Sequence, residues 1–205
     1  MNKMGEKMMH GKLAVLVIDM LNEYLDPKGK VYCENCREIV PNIKRLLEFG
    51  REKRFPIVYV NTSLICETEP IAKKWGLHAE RGSWGAEVIP ELKPQNNDIV
   101  ILKRTYDGFY NSELELTLRS LDVQTVIVTG IHTHVCVLLT AVAAFNRGFN
   151  VIALEDCMTT GYKPNHESRL RFYKTHIGEL LKLNEFMERF RGSSLEEKGT
   201  EVNVR

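Results

Sequence analysis

Short runs of aliphatic and β-branched residues alternate along this chain with longer stretches in which apolar positions recur three and four apart. That alternation is the pattern of parallel β-α-β units. Leu13-Ala-Val-Leu-Val-Ile18 is apolar throughout, which predicts a strand buried on both faces. A helix is expected over Asn35–Arg54, where Ile39, Ile43, Leu46, Leu47 and Gly50 share a face and Pro41 starts or kinks it. Pro56 then introduces a strand at Ile57-Val-Tyr-Val60. From Asn61 to Asn97 the periodicity disappears, and Trp75, Gly76, Gly82, Gly85, Pro90 and Pro94 mark a long excursion. Segments of that length inside a compact domain are usually functional or disordered.

Regularity returns with a strand at Asp98–Leu102 and a helix over Ser112–Leu121, capped by Ser112 ahead of Glu115. Thr125–Thr129 reads as another buried strand, His134–Arg147 as a helix stopped by Gly148, and Val151–Leu154 as a further strand. A turn at Gly161–Pro164 leads to a helix from about Asn165 to His176, and an amphipathic segment follows over Glu179–Phe190. The expected organisation is an N-terminal extension (1–11), one α/β domain (12–190) and a polar C-terminal tail (191–205).

Composition narrows the class. A chain of 205 residues with 43% hydrophobic and 27% charged residues is that of one globular domain with a sizeable core. The 28 Lys+Arg nearly cancel the 27 Asp+Glu, so no overall positive field gathers phosphates or acidic lipid, and nucleic acid is not expected as a partner. The longest apolar stretches, Leu13–Ile18 and Val135–Phe145, are too short to span a bilayer. The lysines among the first residues are followed by a short apolar run ending at Asp19, so no leader is expected. Five cysteines, at 33, 36, 66, 136 and 157, do not form the dense framework of a secreted mini-domain, and the expected location is cytoplasmic. Cys33-Glu-Asn-Cys36 is a lone C-x-x-C without the strand before it that a thioredoxin-like motif needs, or a second pair for a zinc site. A surface thiol pair or a local disulfide is expected there.

Ligands of open parallel sheets sit at the carboxyl ends of the strands. Asp19 is the first charged residue after the first strand, Lys103 the first after the strand ending at Leu102, and Cys136 opens the helix after Thr129. Singly, these read as a turn former, a solvated charge and a small buried hydrophobe. Together, a carboxylate, an ammonium and a thiol make an activated nucleophile: Asp19 accepts the thiol proton and Lys103 stabilises the anions. The first-turn position of Cys136 is expected to favour thiolate over thiol.

The segments Val17-Ile-Asp-Met-Leu-Asn-Glu-Tyr24, Lys103-Arg-Thr-Tyr-Asp-Gly-Phe-Tyr110 and Thr129-Gly-Ile-His-Thr-His-Val-Cys-Val137 resemble the isochorismatase-like cysteine hydrolases. The likeness runs from about Lys12 to about Thr160 and takes in Trp75-Gly-Leu-His78, Gly82-Ser-Trp-Gly-Ala-Glu87 and Glu155-Asp-Cys157. The resemblance implies a three-layer, doubly wound α-β-α fold with a six-stranded parallel sheet and an Asp-Lys-Cys triad at Asp19, Lys103 and Cys136. It further implies a cis peptide between Ile131 and His132, an oxyanion hole from the N–H groups of His132 and Cys136, and a homo-oligomer. The apolar positions Leu180, Leu181, Leu183, Phe186 and Phe190 are placed either on the core or on a second subunit.

Departures from the family's patterns bear on the substrate. Nicotinamidases carry an Asp-x-His pair and a further His on a metal; here Asn61 and Ser63 replace the pair and His78 alone matches. An imidazole with an amide and a hydroxyl is a poor transition-metal set, so no metal or other cofactor is expected. Retention of Cys136 favours C–N hydrolysis of a small amide, ureide or carbamoyl compound over the vinyl-ether cleavage of isochorismatases. A nicotinamidase with an incomplete metal site and a non-catalytic thiol-based sensor are the competing readings. Tyr24, Trp84, Tyr106, Phe109, His132 and His134 are the pocket candidates, of which two or three are expected to line it. His134 either meets substrate or caps its helix, and Arg81 reads as a solvated charge rather than a carboxylate clamp.

Overall fold

In the computed structural model, which describes residues 12–191, β1 (Lys12–Ile18) runs through the middle of the molecule. Its side chains alternate between two cores, Leu13, Val15 and Val17 facing one and Ala14, Leu16 and Ile18 the other. Each fully buried aliphatic side chain of this kind contributes about 1.5–3 kcal/mol. β2 (Ile57–Thr62), β3 (Ile99–Lys103), β4 (Val123–Ile131), β5 (Asn150–Thr159) and β6 (Glu179–Leu181) complete a six-stranded sheet of order β3-β2-β1-β4-β5-β6. All neighbouring pairs are parallel.

Seven α-helices are described: α1 (Asn22–Leu25), α2 (Val40–Glu52), α3 (Pro70–Trp75), α4 (Leu114–Ser120), α5 (Cys136–Asn146), α6 (Lys163–Phe172) and α7 (Leu183–Arg191). Ile43, Leu46 and Leu47 of α2 and Phe186 of α7 cover one face of the sheet. Leu114 and Leu118 of α4 with Val137, Ala141 and Ala144 of α5 cover the other, which gives the three-layer, doubly wound α/β fold. Among the described residues no helix is long and apolar enough to cross a membrane.

Several boundaries differ from the sequence pattern for local reasons. Glu34–Ile39 is a 3₁₀ turn, and α2 starts only at Val40 with Pro41 in its first turn, where a missing N–H costs nothing. Ser112 does not cap α4, which begins at Leu114. Its hydroxyl donates back to the Gly108 carbonyl while accepting the Leu114 N–H at 3.2 Å. β5 runs five residues beyond Leu154, through a register shift opposite Val128 and Gly130. The helix expected to end at His176 starts at Lys163 and gives way to a π turn at Tyr173–Ile177.

The amphipathic segment divides into the short β6 and α7. Phe186 and Phe190 pack on Phe55, with Phe49 beside Phe186, so this stripe is accounted for within the chain. It carries no argument for a second subunit. Arg191, placed in the tail by sequence, ends α7; the extension 1–11 and the tail from 192 onward lie outside the described residues.

The long excursion is ordered. Its anchor is Glu23, whose buried carboxylate accepts the N–H groups of Lys30 at 2.6 Å and Ala79 at 2.9 Å, tying two loops to α1. One backbone position carries the junction at the top of β4. Gly130 has φ +104, and a Cβ there would lie 2.0 Å from the Ile18 carbonyl oxygen. Gly130→Ala is therefore expected to destabilise the protein by at least about 3 kcal/mol, through the clash and the positive φ together. Denaturant unfolding of the purified variant checks this, and an unchanged midpoint counts against it.

Candidate active site

Strand order reverses between β1 and β4, the place where an open parallel sheet leaves a crevice. The register sets Ile18 beside Val60 and Gly130, and Thr62 beside Lys103. Asp19 follows directly, in the left-handed region at φ +56, which aspartate tolerates better than most residues. Lys103 is the last residue of β3, and Cys136 the first of α5.

These three side chains meet. Lys103 Nζ lies 2.8 Å from Asp19 Oδ2, 2.6 Å from Thr62 Oγ1 and 3.6 Å from Cys136 Sγ. An ammonium has three donors, and all three are used. The other carboxylate oxygen of Asp19 accepts the Thr62 N–H at 2.7 Å. Lys103 and Asp19 are each 1% exposed, so the pair is removed from water. Burial alone would push the Lys103 ammonium down, but Asp19 and Cys136 outweigh it and hold it above its usual value.

Cys136 departs from expectation. Burial pushes its thiol up, Lys103 pulls it down and Asp19, which also bonds the thiol, pushes it up; the net direction is upward. The resting group is therefore a thiol, and desolvation prevails over the helix terminus. The buried cluster holds one positive and one negative charge. Losing the thiol proton to bulk water would leave a net charge inside, whereas passing it to Asp19 would not.

Above the cluster opens a cavity of about 610 Å³. Tyr24, Tyr106, His132 and His134 line it together with Asp19 and Cys136, four of the six candidates where two or three were expected. Trp84 and Phe109 are corrections. Trp84 stands on a 3₁₀ turn, largely exposed, with its carbonyl accepting the Asn22 side-chain amide at 2.9 Å. Phe109 is buried in the core against Phe149, with Arg147 over its ring. Burial holds the Tyr24 phenol well above its usual value, with Asp19 and Cys136 adding to it, so it stays protonated. His132 is pushed down to about 4 by burial and His134, and is neutral at ordinary pH. His134 does not cap α5, where Val135 is the capping residue without a side-chain bond, and its buried Nδ1 has no hydrogen-bond partner among the described residues.

Sequence reasoning missed Thr62, which bonds both Asp19 and Lys103. Its place at the end of β2 was the available signal. It also missed the wall residues Tyr32, Trp75, Tyr162 and Asn165, which come from loops and helix ends with no periodicity to mark them. Trp75 Nε1 donates to Tyr106 Oη at 2.9 Å, which joins two of the aromatic walls.

The peptide bond between Ile131 and His132 is cis. The turn that follows uses the N–H groups of Thr133, Val135 and Val137 in backbone hydrogen bonds, and not those of His132 or Cys136. Around the nicotinamidase-type metal position, Ser63 Oγ accepts from the Arg81 guanidinium at 3.2 Å, and His78 Nδ1 bonds the Gly76 carbonyl. The buried Asn61 Oδ1 has no hydrogen-bond partner among the described residues. An amide, a hydroxyl and one imidazole beside a guanidinium do not fit a transition-metal ion. Arg81, exposed, does not line the cavity. Cys33 and Cys36 form a disulfide, and Cys36 is fully buried rather than at the surface, 3.7 Å from His132 Nδ1.

The Isochorismatase domain model matches residues 13–185. The chain is 31% identical over 183 residues to an uncharacterized isochorismatase family protein, YwoC, of Bacillus subtilis (strain 168), covering 86% of this chain and 93% of that protein. It is 30% identical over 168 residues to the ureidoacrylate amidohydrolase RutB of Variovorax paradoxus (strain S110), covering 70% of this chain and 67% of that one. The structure of N-carbamoylsarcosine amidase from Thermoplasma acidophilum superposes with a TM-score of 0.77 at 31% identity, over 84% of this chain and 97% of that one.

Two measurements test the cluster. Asp19→Asn or Lys103→Met alone strands a buried charge and should each cost about 3–5 kcal/mol, while the double variant should cost clearly less than their sum. Denaturant unfolding of the four proteins gives the coupling, and simple additivity would refute the pairing. Because the Cys136 thiol is raised, its alkylation by iodoacetamide, followed on its own peptide by mass spectrometry, should be slow at pH 7 and still rising above pH 9. A rate that levels off below pH 8 would mean a resting thiolate.

Proposed function

The chain belongs to the isochorismatase family, and on that premise we propose that it is a cysteine hydrolase that opens a C–N bond in a small amide, ureide or carbamoyl compound. One observation carries the reading: a buried ammonium in contact with both a carboxylate and a thiol at the floor of a cavity. A structural ion pair has no need of the thiol, and a binding pocket has no need of the ion pair.

In this mechanism Cys136 Sγ attacks the carbonyl carbon and its proton passes to Asp19. The cluster keeps its charge, and the negative charge moves onto the substrate oxygen. Lys103 remains an ammonium and holds Asp19 in place. The N–H groups of His132 and Cys136, free of the surrounding turn's bonds, receive the oxyanion. One such donor is typically worth about 2.7–4 kcal/mol of barrier. Asp19 returns the proton to the leaving nitrogen, ammonia or an amine departs, and water activated by Asp19 hydrolyses the thioester. Tyr24 as a donor and His134 Nδ1 as an unpaired polar atom supply the contacts that orient the substrate. The amidohydrolase names of RutB and the carbamoylsarcosine enzyme support C–N chemistry. A peroxide sensor would want a thiolate, and the upward push on Cys136 speaks against that role.

Ammonia release from nicotinamide, N-carbamoyl amino acids, biuret, ureidoacrylate and simple aliphatic amides identifies the substrate. For any compound the wild type turns over, Cys136→Ala should lower kcat by at least about a thousandfold while leaving the fold intact by circular dichroism. A variant that keeps the wild-type rate would sink the mechanism. Rapid quenching of the wild type should also capture an acyl mass on the Cys136 peptide.

A further inference from the structure

The Cys33-x-x-Cys36 motif has no part in the proposed hydrolysis: Cys36 is buried in the hydrophobic core, and Cys33, packed against it, also stands in the wall of the cavity. Its two sulfurs and the imidazole of His132, about a hundred residues away, converge so that all three potential ligand atoms lie within 4.8 Å of one another. We propose that, in the reduced protein, Cys33, Cys36 and His132 form a binding site for a soft divalent metal ion of the zinc class.

Three observations carry this. Two residues between thiols is a common spacing for zinc ligands, and sulfur with imidazole is a donor set that zinc favours. The Cys36 Sγ to His132 Nδ1 distance is 3.7 Å. In a tetrahedral site with ordinary Zn–S and Zn–N bonds the S···N edge is about 3.6 Å, so in the disulfide form His132 Nδ1 already stands at about that distance from Cys36 Sγ, and reduction lets the second sulfur move to its own position. Charge also fits: two thiolates neutralise a divalent cation, which suits a place where Cys36 has no exposed surface. The site is separate from Asn61, Ser63 and His78, whose donors do not suit such an ion.

The two sulfurs are joined in this structure, so the site exists only after reduction. A phosphine supplies the two electrons and becomes its oxide with an oxygen from water, and the disulfide takes up two protons to become two thiols. Metal binding then releases both protons and forms two metal–sulfur bonds. Cys33 and His132 line the same cavity as Cys136, so the fourth coordination position is filled from that cavity, by water or by a ligand in it.

The experiment uses the full chain without a His tag, reduced with a phosphine under inert gas and titrated with Co²⁺ in metal-free buffer. One equivalent should bind, giving thiolate-to-cobalt charge-transfer absorption in the near ultraviolet and the visible bands of tetrahedral cobalt, both abolished by Zn²⁺. Cys36→Ser should lose the charge-transfer band, as should Cys33→Ser, a milder change at a partly buried position. His132→Asn should weaken binding at least tenfold, and Cys136→Ser should keep the band. The oxidised wild type should give no such band. Reduced protein without a charge-transfer band, or a band that survives in both Cys33→Ser and Cys36→Ser, would overturn the proposal and leave the pair a structural disulfide.

Discussion

The arrangement at the top of the sheet follows from the cost of burying one ammonium group. Lys103 has almost no exposed surface, and an unpaired charge there would be prohibitive. Its three donors require three acceptors, which come from three different elements: Asp19 beyond β1, Thr62 at the end of β2 and Cys136 at the start of α5. That demand fixes how far β1, β2 and β3 extend, because the strand ends must stop within reach of one nitrogen. Adjacent registers accomplish it by pairing Thr62 with Lys103 and Ile18 with Val60.

The same constraint shapes the chemistry. A carboxylate and an ammonium make a neutral pair, and a thiol added to it remains a thiol because an additional buried anion would be uncompensated. In the proposed mechanism, proton transfer inside the cluster is therefore the low-cost route to a nucleophile, with a substrate carbonyl receiving the negative charge. The cavity above is built to the same logic of burial. Tyr24 and His132 are held in neutral forms by desolvation, so the walls offer hydrogen bonds without adding charge.

Legibility in the sequence followed the strength of the local signal. β1 is apolar at every position from Leu13 to Ile18, and such a run can only be a buried strand or a buried helix, a choice its length settles. Asp19, Lys103 and Cys136 were legible because the strand-end rule needs only the strands. β6 was not: three residues leave no period to read, and it is a strand because β5 offers an edge at Ile152 to Leu154. Trp84 and Phe109 were misplaced because aromatic residues serve cores and pockets alike, and nothing local distinguishes a ring stacked on Phe149 from one facing a substrate. The excursion from Asn61 to Asn97 gave no period; contacts such as the Glu23 carboxylate's bond to the Ala79 N–H, made across 56 residues, leave no local trace in the sequence.

By itself, then, the sequence determined the layers, the parallel strands and the three side chains that meet at the strand ends, since each depends on patterns within some ten residues and on general rules about where strands end. Tertiary structure alone decided the protonation of Cys136, because desolvation is the sum of everything packed around an atom. It also decided which rings face the cavity and that Thr62 completes the ammonium's partners. The Cys33-x-x-Cys36 pair shows the division most plainly: along the chain it has no partner, and only the fold brings His132 to within 3.7 Å of it.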